Sequence, residues 1–436
     1  MPKLKDLFVA LSVRNYRLFF MGQGVSLIGT WMQRTTMGWF VYRLTNSAFL
    51  LGVISFLSMI PAVFISPFAG AWADRWNRHH TLIITQFAFL PQASLLTLAV
   101  LSGFITPLRL WPIFALSLMQ GVIEAVDSPI RQSFVIDLVS KRSLLPNAIA
   151  SNSAMFNSAR LLGPSIGGAM IMLFGEGICF GINAVTYIFV IISLFMIRIS
   201  YPAVKATGES TLRKIVEGWK YTWCNFPIRH LIINIAIFTL FGLSYATLIP
   251  VFARDVLQGS AGTQGLMLSA AGIGALGTSF YLASRKTIKG LPTILVSFGV
   301  VASLALIILS RSTLLPLSIG LMLPIGLGMT MQMASTNTLI QSIVDDRMRG
   351  RVLSVYTMSF MAMSPFGGLL AGTLSRQLGA PTALLICALV CLLWSLYGLK
   401  LIPSVVRDIF RMLVSNHNTE LYRPPVVAVK LSPSER

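Results

Sequence analysis

Glu124, Asp127 and Arg131 stand at i, i+3 and i+7 in an otherwise apolar segment, a spacing that puts all three on one face of a helix. Ionisable groups in such a segment are costly to hold, so each is a functional candidate by default. A carboxylate there can take up and release a proton, or it can pair with a cation as a structural clasp. For Asp127 a clasp with Arg131 is the favoured reading, because both lie toward one end of the segment. Glu124 is deeper and is the best single proton site in the chain, with a structural role as its equal alternative. Two arginines occupy other apolar segments. Arg34 lies roughly 24 Å along the axis from the start of the first, and Arg160 lies near the middle of the fifth. Each can meet an anionic substrate or balance Glu124, and snorkelling explains Arg34 almost as well.

The second half of the chain carries no comparable charge; Tyr245, Gln332 and Asn337 are its candidates for lining a substrate cavity. His79 and His80 are adjacent and lack metal-ligand spacing. Cys179, Cys224, Cys387 and Cys391 show one i,i+4 pair but no metal or disulfide framework, and read as small buried hydrophobes. There is no nucleotide loop, no paired metal ligands and no nucleophile–base arrangement. Neither a metal, a cofactor nor an enzymatic reaction is expected.

The elements that must position these residues follow from composition. Of the 436 residues 55% are hydrophobic and only 11% charged, against a usual charged share of about 25%. Apolar runs repeatedly reach the ~20 residues that a helix needs to cross a bilayer. Twelve spans result, at 17–42, 48–72, 80–102, 108–130, 146–173, 177–198, 229–253, 264–284, 291–310, 314–340, 352–376 and 380–401. The net charge of +20 would suggest nucleic acid in a soluble protein. Here the Lys and Arg sit in short connections between spans, so loop bias explains them and no nucleic-acid partner is expected. Of the 34 Lys and Arg, only Arg43, Arg109, Arg254, Arg311 and Arg376 fall on the side away from the termini, and Arg34 and Arg160 fall within spans. The bias places both termini in the cytoplasm. No cleavable signal peptide is evident.

The chain divides into a first six-helix unit at 1–198, a linker at 199–228, a second six-helix unit at 229–401 and a polar, Pro-rich tail at 402–436 that reads as partly disordered. In the linker Leu212, Ile215, Val216, Trp219 and Trp223 form one apolar face, opposed by Arg213, Lys214, Glu217 and Lys220. That is an amphipathic helix, either lying on the membrane surface or docking on the protein. The halves also echo each other. Gln132-Ser133 through Asp137 precedes span five as Gln341-Ser342 through Asp345 precedes span eleven. Within those spans Gly163-Pro164-Ser-Ile-Gly167-Gly168 matches Ser364-Pro365-Phe-Gly367-Gly368. Small residues at this spacing allow close helix approach, and the prolines weaken the local backbone ladder. Repeated halves are a common way to build alternating access.

Between spans two and three the chain reads Gly70-Ala-Trp-Ala-Asp74-Arg75-Trp-Asn-Arg78-His79-His80. A carboxylate at a membrane edge can latch onto a basic side chain or a helix N-terminus, and Arg131, Arg349 and Arg351 are its candidate partners in a cytoplasmic gate. This loop resembles the signature of the major facilitator superfamily, with Trp72, Asn77 and His79 as departures. Arg160 through Gly168 is similar to the superfamily's span-five signature associated with antiporters. Asp127-Ser-Pro129-Ile-Arg131-Gln132, Leu145-Pro-Asn147-Ala148, Asn152, Asn157, Arg14-Asn15-Tyr16-Arg17 and Leu44-Thr45-Asn46-Ser47 resemble the enterobactin-exporter-like branch. The resemblance covers roughly residues 10–400. Many drug–proton antiporters carry an Arg four residues before the Gly of a Gln-Gly pair; Gln120-Gly121 are present, but Ser117 holds that position.

The resemblance implies an all-α polytopic membrane protein with twelve transmembrane helices in two pseudo-symmetric six-helix bundles. It also implies a central cavity and export of small, amphipathic molecules by proton antiport across the inner cell membrane, by a monomer. Uptake or lysophospholipid translocation is the alternative within transport, and a non-transporting membrane sensor or scaffold is the alternative outside it.

Overall fold

A computed structural model describes residues 9–73, 76–139, 142–199, 211–285 and 287–415. The first half comprises α1 (Arg14–Thr45), α2 (Ala48–Ala73), α3 (Arg78–Leu101), α4 (Trp111–Asp137) and α5 (Leu145–Met196). After α6 (Thr211–Cys224), the second half holds α7 (Phe226–Ile237), α8 (Tyr245–Val251), α9 (Ala261–Ser284), α10 (Leu291–Arg311), α11 (Leu315–Ile343), α12 (Asp346–Leu378) and α13 (Ala380–Ser415). With 52 residues, α5 would be about 78 Å long if straight, far more than a bilayer core of ~30 Å. It folds back at Gly175, whose φ of 79° is open to glycine without strain. One residue thus does the work of the loop expected between spans five and six. Two π-helical turns, Phe238–Gly242 and Phe252–Val256, flank α8, so 226–256 forms a single irregular crossing.

Ten helical segments among the described residues are long and apolar enough to cross a membrane. Counting α5 twice and adding α1, whose hydropathy is lowered by Arg14, Arg17, Arg34 and Arg43, gives twelve crossings in two bundles. The start of α1, the end of α13, α6 and the start of α3 share one face of the molecule, here the linker face; the opposite side is the far face.

Close helix contact within each half is set by equivalent glycines. A methyl built on Gly121 of α4 would lie 2.5 Å from the Ser58 carbonyl oxygen of α2, and one on Gly326 of α11 would collide with the Ala271 carbonyl of α9. The linker helix α6 docks on α12, where a methyl on Gly218 would lie 2.7 Å from the Arg351 carbonyl oxygen and Glu217 pairs with Arg351. Trp219 and Tyr221 pack on the second half and Thr222 is fully buried, while Val216 and Trp223 stay exposed. Val216 and Trp223 thus lie off the docking face, to which Trp219 contributes and where Gly218 lets α6 approach closely. At the other end of the chain α13 runs past 401 to Ser415. Val405, Ile409 and Leu413 recur every four residues and bury against Ile228, Leu291 and Val352, which extends the helix into the region expected to be tail.

Candidate transport site

The first half encloses a cavity between α1, α3, α4 and α5, and its charge centre is an ion pair between Arg34 of α1 and Glu124 of α4. The two side chains keep 35% and 33% of their exposure, so each faces the cavity rather than the packed interior. Trp31, one turn before Arg34, holds the guanidinium 5.1 Å from its ring centroid. Its other neighbours are Phe156, edge-on at 5.9 Å, and Arg160, 5.8 Å from the same ring. An indole between two cations gains quadrupole attraction from both.

Asp127, one turn beyond Glu124, is 3% exposed and fully satisfied. One carboxylate oxygen accepts from Thr85 Oγ1 at 2.6 Å and Gln86 Nε2 at 2.9 Å; the other accepts from Arg131 Nε at 3.0 Å. A buried carboxylate with three donors is a rigid structural element. Gln86 Oε1 is buried without a partner and borders the same cavity, leaving one acceptor for a bound molecule or water.

A second polar cluster joins α1, α4 and α5. Asn183 donates to Gln33 Oε1 at 2.7 Å, Gln33 donates to Gln120 Oε1 at 3.2 Å, and Asn183 reaches the Tyr187 hydroxyl at 3.4 Å. Sequence reasoning overlooked Trp31, Gln33, Gln86, Asn183 and Tyr187. Amides inside apolar spans were the available signal, since hydrocarbon forces them to find partners.

The remaining cavity candidates do not line this site. Gln332 is enclosed in the second half, accepting from Asn234 at 2.9 Å and donating to the Leu295 carbonyl at 2.7 Å; Trp394 Nε1 completes the cluster on Asn234 at 3.1 Å. Tyr245 is buried in α8. Asn337 accepts from Gln341 toward the linker-face end of α11. The second half therefore spends its amides on its own interior.

The two glycine–proline motifs occupy equivalent seams. Gly163 and Gly167 pack on Trp31 and Met32 of α1 within the first half, and Gly367 packs on the Leu240 carbonyl within the second. The last glycine of each motif reaches across. A methyl on Gly168 would lie 2.7 Å from the Ala261 carbonyl oxygen, and the Gly368 carbonyl oxygen would lie 2.6 Å from a methyl on Gly52. Pro164 offers its carbonyl to Gly265, and Pro365 is buried in α12. These seams join α5 to α9 and α2 to α12 on their far-face portions. There Tyr42 also donates to Asp255, and Arg254 bonds Asn46 Oδ1 at 2.7 Å and the Tyr42 carbonyl at 3.3 Å.

At the linker face the gate candidates have partners in their own half or in the linker helix. Arg78 holds Asp137 at 2.9 Å, Arg131 holds Asp127, Arg349 pairs with Asp346, and Arg351 with Glu217. Gly70 lies in the last turns of α2, and Asp74 and Arg75 lie outside the described residues.

A family model described as transmembrane secretion effector matches residues 7–434. The chain belongs to this family of major facilitator transporters. It is 25% identical over 361 residues to the staphyloferrin A transporter of Staphylococcus aureus, covering 81% of this chain and 88% of that protein. It is 24% identical over 403 residues to the multidrug efflux pump Tap of Mycolicibacterium fortuitum, covering 90% and 93%. Among solved structures, a bacterial homologue of the human lysosomal transporter Spinster, inward-facing and unoccupied, aligns with a TM-score of 0.63 at 14% identity over 94% of this chain and 99% of that one. A POT family transporter in complex with 5-aminolevulinic acid aligns at 0.71 with 12% identity over 90% and 96%. These last two share the fold. The major facilitator protein is thus a multi-pass membrane transporter of small molecules and not an enzyme.

Proposed function

We propose that this transporter exports small, amphipathic molecules from the cytoplasm in exchange for protons, with Glu124 as the proton carrier. The observation that carries the reading is the Arg34–Glu124 pair, about one-third exposed on the cavity wall. A proton on Glu124 cancels its charge and frees Arg34; loss of that proton restores the pair. Two charge states of one site are what coupling requires, and Asp127, enclosed by three donors, is less suited to the task. Efflux accords with the relative in Mycolicibacterium fortuitum, a multidrug efflux pump. The distribution of Lys and Arg supports an inner-membrane protein with both termini cytoplasmic. In that orientation the structure is closed on the outside. The loop of Gly70, Asp74, Arg75 and Arg78 would then latch the cytoplasmic face, with Arg131, Arg349 and Arg351 exchanging their present partners. The protein acts as a monomer, since one chain contains both halves and the cavity.

The test is proton movement in energised inside-out vesicles as candidate compounds are added, comparing wild type with Glu124→Gln. A compound that dissipates the gradient through wild type alone supports antiport through Glu124. Equal responses move coupling elsewhere. Transport of a labelled compound with no proton movement overturns antiport and makes uptake or lipid translocation the leading reading.

A further inference from the structure

We infer that Arg160 and Trp31 form an anion-binding subsite at the cavity rim, and that the transported molecule carries a carboxylate attached to an apolar, planar body. The inference deepens the transporter reading and rests on it for the location of the site.

The argument begins with charge balance. Four charged side chains border the cavity, and they cancel in pairs: Arg34 with Glu124, and Arg131 with Asp127. Arg160 stands beside them on α5, half-buried, and forms no ion pair among the described residues. Holding a guanidinium inside a bundle without a carboxylate is costly. The cost is reduced by the Trp31 face, which attracts cations but leaves the guanidinium's N–H fork unspent. That fork matches a carboxylate bidentately.

The surroundings define the rest of the ligand. Trp31 and Phe156 meet edge to face beside Arg160, and Phe89 and Tyr187, which also line the cavity, stack at 5.1 Å. A flat apolar body can lie along these rings while its carboxylate meets Arg160. A cationic ligand would find a cavity whose carboxylates are already taken and whose surplus charge is positive.

The experiment uses the purified full-length protein in detergent, at equilibrium and without a proton gradient. Binding of 2-naphthoate is compared with that of its neutral analogue 2-naphthamide for wild type, Arg160→Gln and Arg160→Lys. Wild type is expected to prefer the acid by at least about tenfold, the scale of one charge-assisted hydrogen bond. Arg160→Gln should lose that preference while still binding the amide, which shows an intact fold, and Arg160→Lys should recover part of it. Equal binding of acid and amide by wild type overturns the inference. So does a preference that survives in Arg160→Gln, or failure of wild type to bind either compound. Since no gradient is involved, an acid preference found alongside failed antiport refutes only the proton-coupling proposal.

Discussion

Replacing Gly168 by Ala tests whether the far-face seam sets the balance between the two access states. The added methyl would lie 2.7 Å from the Ala261 carbonyl oxygen and 3.2 Å from the Gly262 Cα, both backbone atoms that cannot rotate away. Ordinary contact needs several tenths of an ångström more, so α5 and α9 must separate where they now touch. Overpacking of this kind costs about 1–3 kcal/mol, and here it falls only on the state in which the seam is closed. The gain in helix propensity on replacing glycine, about 1 kcal/mol, applies to both states and cancels. The closed-to-open ratio should therefore fall roughly 5- to 150-fold. Gly320→Ala in α11 is the control, since a methyl there meets nothing within 4 Å. Spin labels at Leu108 and Leu314, both exposed in far-face connections of opposite halves, report the separation by pulsed dipolar spectroscopy, with Cys224 replaced by Ser. Gly168→Ala should populate longer distances and Gly320→Ala should not. Identical distributions for the two variants would refute the assignment of this seam as the gate on the far side.

Arg254→Ala removes the donor that caps the end of α1, and should lengthen the same distances by less than Gly168→Ala, as an exposed hydrogen bond of about 1 kcal/mol implies; a larger effect would make the Arg254 contacts, not the seam, dominant. Asp127→Ala leaves Arg131 without its buried carboxylate and should destabilise the protein by roughly 3–5 kcal/mol, read as a lowered melting temperature; an unchanged melting temperature would contradict the clasp. Gly326→Ala forces a methyl into the Ala271 backbone inside one half, so it should reduce the yield of monodisperse protein; normal yield would show that α9 and α11 can part freely.

Local spacing made part of this legible from sequence. The Asp127–Arg131 clasp is an i,i+4 pair on one helix, and its geometry follows from helical periodicity alone. The twelve crossings follow from hydropathy, and the two glycine–proline motifs mark equivalent positions because both halves use them alike. Pairing across helices was harder to read. Arg34 and Glu124 lie 90 residues apart, and only the rotation of α1 against α4 decides that they meet. Gln332 looks like a cavity residue in one dimension, yet Asn234 on α7 consumes it. Gly175-Glu176-Gly177 marks a break between two apolar spans in the sequence, but nothing in it says that one positive-φ glycine makes the whole reversal.

The seams also have a dynamic consequence. Each closes glycine against backbone, as Gly52 does on Gly368 and Gly265 on Pro164. Glycine has no rotamers to freeze, whereas a long side chain immobilised at such a contact forfeits up to about 2 kcal/mol of conformational entropy. Zipping the glycine contacts therefore orders little that was not already ordered in the separate helices. At these contacts the two halves can part and rejoin without repacking, and the side chains that must be reordered on this face are those of Tyr42, Arg254 and Asp255.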